Sequence, residues 1–294
     1  MSGFLALLRP PNVFTAFADS LAGLLVLLAL GIAVPDRACA ILLASGCLYL
    51  SGIVLNDVLD RNIDAVERPT RPIPSGAVSV ATATVLGIAL MATGIAIAAW
   101  IGRAPGTLAA ILAACILVYD GGAKNTKLGP LVMGACRGLD VALGIATGLS
   151  LSASWPPIAI AGPIVLALYV AGLTYIARDE VDGNTTRRAR TGLLFLAVLA
   201  ITVMIALIAA PGLPASRWAW PWVALAMGLG WRNWSPVWHR HDGRSTGRAI
   251  GGGIMLIPVI DATLCAVAGM PFWAVTVALL MFPALILKQF FSPT

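Results

Sequence analysis

The chain has 294 residues, 59% of them hydrophobic and only 11% charged, with a mean hydropathy of +0.92. A soluble globular domain carries about 25% charged residues, so a water-soluble enzyme is excluded and a polytopic helical membrane protein is expected. The net charge of +6 lies in short loops between apolar runs, with no basic domain that would take a nucleic-acid partner.

In chain order, apolar runs bounded by charges and breakers predict spans at 13–34, 38–57, 79–101, 106–120, 129–150, 157–177, 192–210, 217–231, 249–269 and 272–290. Nine or ten helices are expected, because the run at 217–231 is short, contains Pro221 and is rich in tryptophan (Trp218, Trp220, Trp222, Trp231), so it either spans or lies in the interfacial belt. Ala38-Cys39-Ala40 resembles a signal cleavage site, but the charged stretch that should precede such a signal is missing, and the first run is expected to stay as a spanning helix. Residues 1–294 read as a single transmembrane domain. The five cysteines form no CxxC pair and sit near no histidine cluster, so they read as small apolar residues. Loops taken alternately put 15 of the 19 Lys and Arg residues on one side and only Arg37, Arg103 and Arg217 on the other. The positive-inside rule makes the first side cytoplasmic, N-terminus included, as in a bacterial-type inner membrane.

Acidic residues obey no such insertion rule, yet they gather on that same side. The span ending near residue 57 runs into Asn56-Asp57-Val58-Leu59-Asp60-Arg61-Asn62-Ile63-Asp64. At 100° per residue, Asp57, Asp60 and Asp64 fall within about 60° of one another on a helix. Three stacked carboxylates repel unless a counterion joins them, and carboxylates with the Asn56 amide form the hard-oxygen set that suits Mg2+ bridging to phosphate. Arg68-Pro-x-x-Arg71-Pro-x-Pro follows, its prolines fixing the backbone and its guanidinium groups suited to diphosphate. The span at 157–177 ends likewise in Tyr175-Ile176-Ala177-Arg178-Asp179-Glu180-Val181-Asp182, where Asp179 and Asp182 share a face and make a second metal-binding edge. A third stretch, Tyr119-Asp120-Gly121-Gly122-Ala123-Lys124, brings a lysine to the same membrane face. For each of these stretches the plain alternative is a solvated helix end or a positive-inside loop.

Asn56-Asp57-x-x-Asp60-x-x-x-Asp64 and the trailing Arg-Pro-x-x-Arg-Pro-Ile-Pro-Ser-Gly resemble the first motif of the UbiA superfamily of intramembrane prenyltransferases, and the resemblance extends to about residue 200. It implies an all-α bundle of nine spans around a central cavity with cytoplasmic caps. The implied reaction is Mg2+-dependent transfer of a prenyl group from an isoprenyl diphosphate to a small-molecule acceptor, aromatic or lipid. Asn56, Asp57, Asp60, Asp64, Asp179 and Asp182 are then the metal ligands, the five aspartates being the catalytic set. Arg68, Arg71, Lys124 and Arg178 are the diphosphate contacts. The second motif departs from the family's usual DxxxD, since Asp179 and Asp182 are three apart and Asn184 follows. In this erosion the chain also resembles, more loosely, the UbiA-like EboC proteins of bacterial metabolite clusters.

Charges inside spans mark cavities or paired sites. Asp19, Arg137 and Asp140, with Tyr119 and Tyr175, are candidates for the substrate pocket; Asp261 is a fourth intramembrane charge, and Arg137 and Asp140 at i and i+3 are equally suited to neutralising each other. A transporter would concentrate its acids at the bilayer midplane, which this chain does not do. The remaining alternative is a catalytically degenerate family member that binds, transports or scaffolds a metabolite precursor.

Overall fold

The computed structural model describes residues 3–178, 216–240 and 243–290. Among these the secondary structure is helical throughout. A short helix α1 (Gly3–Leu8) leads through Pro10–Asn12 into α2 (Val13–Ala29); α3 (Ile41–Leu59), α4 (Arg61–Glu67), α5 (Val80–Ile101), α6 (Arg103–Asp120), α7 (Gly129–Ile145) and α8 (Pro157–Arg178) follow. Beyond residue 215 come α9 (Ser216–Arg240), α10 (Gly243–Met255), α11 (Ile257–Val267), α12 (Pro271–Leu279) and α13 (Met281–Phe290). Six helical stretches are long and apolar enough to cross a membrane, and the chain is an integral membrane protein. The span expected at 192–210 lies outside the described residues.

The breakers fall where the sequence predicts turns. Ser79 caps α5, its hydroxyl accepting from Thr82 N at 3.1 Å. Gly102 ends α5, and Gly106 lets α6 fold back against Ala99, where a methyl group would come within 2.8 Å of the Ala99 Cα. Proline opens α7, α11 and α12 within the first two positions, where its missing N–H has no helical partner to lose. The run expected to be short at 217–231 is instead a helix of 25 residues. Its two prolines lie toward the ends, and Trp234 and Val237 are buried in the core shared with α8 and α11, so packing sustains what local preference alone would interrupt.

Two hydrophobic clusters make up most of the interior. One joins α3, α5, α6 and α7 through Leu48, Leu55, Met91, Leu112 and Leu143; the other joins α7 through α11 around Leu166, Tyr169, Trp234 and Leu256. Helices α2 and α7 cross between them. Gly23 and Gly144 make that crossing possible, since a Cβ on either would lie 2.1 Å from a carbonyl oxygen of the facing helix. Outward faces are apolar as well: Val85, Ile88 and Trp100 on α5 are exposed, as lipid-facing residues are. The antiparallel succession α2, α3, α5, α6, α7, α8 brings Arg9, Asp57, Val80, Asp120, Gly129 and Arg178 to one end of the bundle.

Candidate active site

At that end a small apolar cluster fixes the loop that follows the acidic stretch. Leu7, Val54, Val58, Ile73, Val78 and Ala83 pack together, folding residues 68–78 back over the end of α3. Backbone bonds from Ser75 N to Arg71 O and from Val78 N to Pro72 O hold the fold of this loop. The result is that Arg71 is buried against the acids: its Nη1 donates to Asp64 Oδ2 at 2.5 Å and lies 3.4 Å from Asp57 Oδ1. Its Nε has no partner among the described residues.

The helix breaks at Asp60, between α3 and α4, but backbone bonds from Asp60 N to Asn56 O and from Asp64 N to Asp60 O carry the register across. The three carboxylates therefore stay on related faces, as the spacing predicts. They do not meet at one point, and among the described residues no group of three metal-ligating acidic, histidine or cysteine side chains is drawn together. Instead they divide between cations. Asp57 and Asp64, both buried, share Arg71, while Asn56 Oδ1 and Asp60 Oδ1 accept from Lys124 Nζ at 3.0 and 2.6 Å. The Asn56 amide also donates to Asp60 Oδ2 at 3.1 Å. Arg68 reaches Asp64 only at 3.6 Å and is largely exposed, a contact that contributes little to stability.

Lys124 is held in place by backbone. The turn Ala123–Asn125 follows Gly122, whose φ of 146° suits only glycine, and Gly129 packs on it so closely that a Cβ would meet Ala123 O at 2.8 Å. Two hard oxygens thus converge on a single cation, here an ammonium, and this donor chemistry fits Mg2+.

The sequence reading gave no site role to two further residues at this end, Arg9 and Asp120. Arg9 Nη2 donates to both Asp57 oxygens, at 2.6 and 2.8 Å, from the one left-handed non-glycine backbone among the described residues, φ 44°. The signal available was its place immediately before Pro10, which disfavours ordinary helical backbone, at the mouth of the first span. Asp120 is buried at the end of α6, within electrostatic range of Lys124, Asp60 and Asp57.

Residues 16–250 match the UbiA prenyltransferase family. The chain belongs to that family. As a UbiA-type prenyltransferase it is 37% identical to the digeranylgeranylglyceryl phosphate synthase of Methanothrix thermoacetophila over 117 residues, which is 39% of this chain and 43% of that protein. Its likeness to the synthase of the same name from Methanoculleus marisnigri is 30% over 233 residues, 74% of this chain and 78% of that protein. The fold is shared with the apo UbiA homolog from Aeropyrum pernix K1, at a TM-score of 0.67 and 20% identity over 86% of this chain and 96% of that one. It is shared also with a UbiA homolog from Archaeoglobus fulgidus bound to GPP and Mg2+, at 0.61 and 17% over 87% and 99%.

The other expected site residues of this UbiA prenyltransferase are dispersed. Asp179 and Asp182 lie outside the described residues, and Arg178 ends α8 at the acidic end of the bundle. Tyr175 is exposed and Tyr119 half-buried. Asp19, Arg137 and Asp140 come together, but deep among α2, α3, α7 and α11 rather than at the acidic stretch. Arg137 pairs with Asp19 at 2.8 Å, not with Asp140, whose partner is Ser45.

Proposed function

We propose that this chain transfers a prenyl group from an isoprenyl diphosphate to a small-molecule or lipid acceptor within the membrane, releasing diphosphate, with Mg2+ as cofactor. One observation carries the reading. At one end of the bundle the fold holds Arg9, Arg71 and Lys124 against Asp57, Asp60 and Asp64, and the buried Nε of Arg71 has no acceptor among the described residues. A buried guanidinium donor without an acceptor is unfavourable unless an anion arrives to take it.

In this reading Arg71 and Lys124, with Arg68 and Arg178, take the diphosphate oxygens. Asn56, Asp57, Asp60 and Asp64 would hold Mg2+, and Asp179 with Asp182, which follow Arg178 in sequence, would supply a second metal-binding edge. Bound Mg2+ supplies charge neutralisation for the departing diphosphate. As Lys124 turns to phosphate, Asn56 Oδ1 and Asp60 Oδ1 are freed for that ligand role. The apolar helices exclude water from the allylic carbon as its bond to oxygen breaks, so that the acceptor captures the prenyl group before hydrolysis does. The likeness to digeranylgeranylglyceryl phosphate synthases supports a lipid-class acceptor, and the loop charge bias supports a cytoplasmic location for the acidic end.

The test is diphosphate release by detergent-purified protein given Mg2+, membrane lipid as acceptor source and isoprenyl diphosphates of several lengths. Asp60→Asn and Asp64→Asn are each expected to lower release by about 100-fold or more, the scale on which a residue stabilising developing charge acts, and chelation of Mg2+ is expected to abolish it. One observation favours a binding-only family member: each carboxylate of the first motif already has a basic partner. That reading requires diphosphate to bind without turnover in the parent and both variants alike.

A further inference from the structure

Four charged side chains meet in the interior of the bundle, away from the acidic end. Asp19 on α2, Arg137 and Asp140 on α7 and Asp261 on α11 are 0, 6, 4 and 1% exposed. Ser45, which bonds Asp140, precedes Asp57 by 12 residues on α3, so the two sites are about 18 Å apart along that helix. Three carboxylates face one guanidinium. Fully ionised, the cluster would hold two uncompensated negative charges in a medium that strongly penalises even one.

Hydrogen bonding independently requires the same correction. The Asp261 carboxyl lies within hydrogen-bond reach of the Asp19 carboxyl. As ionised groups both only accept, which leaves Asp19 Oδ1 and Asp261 Oδ2 buried without a donor. At Asp140 the shortage repeats: Ser45 Oγ lies 2.9 Å from Asp140 Oδ2 and 3.1 Å from Ala16 O, two acceptors competing for one hydroxyl hydrogen. A proton between Asp19 and Asp261, and a second on Asp140 Oδ2 donated to Ser45 so that Ser45 can donate to Ala16 O, satisfies these contacts.

We propose that this cluster is a two-proton binding site inside the membrane, one proton shared by Asp19 and Asp261 across α2 and α11 and the other held by Asp140 against Ser45. The other titratable groups facing it include Tyr49 of α3, whose ring lies 5.6 Å beneath the Arg137 guanidinium, Cys136 on α7 and Cys265 on α11. The protons make the cluster neutral and let α11 dock against α2. The site needs neither prenyl diphosphate nor metal, so its test is independent of the function proposed above.

Infrared spectroscopy of the detergent-purified chain at neutral pH separates the carbonyl stretch of a protonated carboxylic acid from that of a carboxylate. The expected result is an acid band in the parent, diminished in Asp140→Asn and again in Asp261→Asn, and lost from this cluster in the double variant. Both variants are expected to unfold within a few degrees of the parent, because an amide replaces a neutral carboxyl without changing charge. A parent protein with no acid band at neutral pH overturns the proposal, whatever the variants do. So does a band unchanged by both substitutions, or an acid band that disappears on adding sodium ions at fixed pH, which would make the occupant a metal cation.

Discussion

Arg9 adopts a backbone that ordinary side chains avoid, at a penalty of about 1–2 kcal/mol, and its side chain closes on a buried carboxylate. The strain persists because, among the described residues, Asp57 has one other basic contact, Arg71 at 3.4 Å. Arg9→Ala is therefore expected to destabilise the protein and Asp57→Asn to relieve part of that loss, with a coupling of about 1–3 kcal/mol in a double-mutant cycle read by thermal unfolding; additive effects would refute the pairing. Lys124→Met should weaken diphosphate binding by about 10-fold or more, while Lys124→Arg, whose planar fork is not a compact ammonium, should recover it incompletely; direct titration with inorganic diphosphate decides. At this scale the sequence yields the residue types and not the partners. Asp57, Asp60, Asp64 and Arg71 were legible as candidates because one short stretch holds them, and Lys124 because a separate stretch carries it to the same membrane face. Arg9 was not, because its partner is 48 positions away and the packing of Leu7 with Val54 and Val58 brings the two segments together. For the same reason Arg137 could be paired on paper with Asp140, one turn away, when the fold gives it Asp19 from another helix.

Helices were the most legible layer, since in a bilayer an apolar run has little alternative to helix. Boundaries at Val80, Ile101, Asp120, Gly129 and Pro157 fall within a few residues of glycine, proline or charge, as expected. What hydropathy cannot show is which helices touch. The crossing of α2 and α7 depends on Gly23 and Gly144, which in sequence are two glycines among 30. Each faces backbone rather than a side chain that could turn aside, Gly23 against Val141 O and Gly144 against Ser20 O. Gly144→Val is thus expected to push the helices apart and destabilise the protein by about 1–3 kcal/mol or more, the usual scale of overpacking. The thermal midpoint in detergent should fall accordingly. Gly228, on the lipid-facing part of α9 with nothing near its Cβ, is the matched control, and Gly228→Ala should leave the midpoint unchanged or raise it.

For the molecule as a whole, the decisive property is that its two ends differ. Arg9, the acidic stretch, Lys124 and the start of α7 occupy one end; the loop before α3, where Arg37 stacks over Trp100 and donates to Ile101 O, occupies the other. The strong bias of lysine and arginine toward the first end predicts that it faces the cytoplasm, and an isoprenyl diphosphate, its charged head too polar to cross, would then have to reach the site from that side. Cys39 offers a direct test, because it is the one exposed cysteine among the described residues and lies in that opposite loop. A membrane-impermeant maleimide should label intact cells at Cys39 and fail on Cys39→Ser. With Asn125→Cys added to that second background, in the turn that carries Lys124, labelling should require permeabilisation. The reverse pattern would turn the molecule over and put the acidic end outside, where neither the charge bias nor the supply of diphosphate substrate would have a physical account.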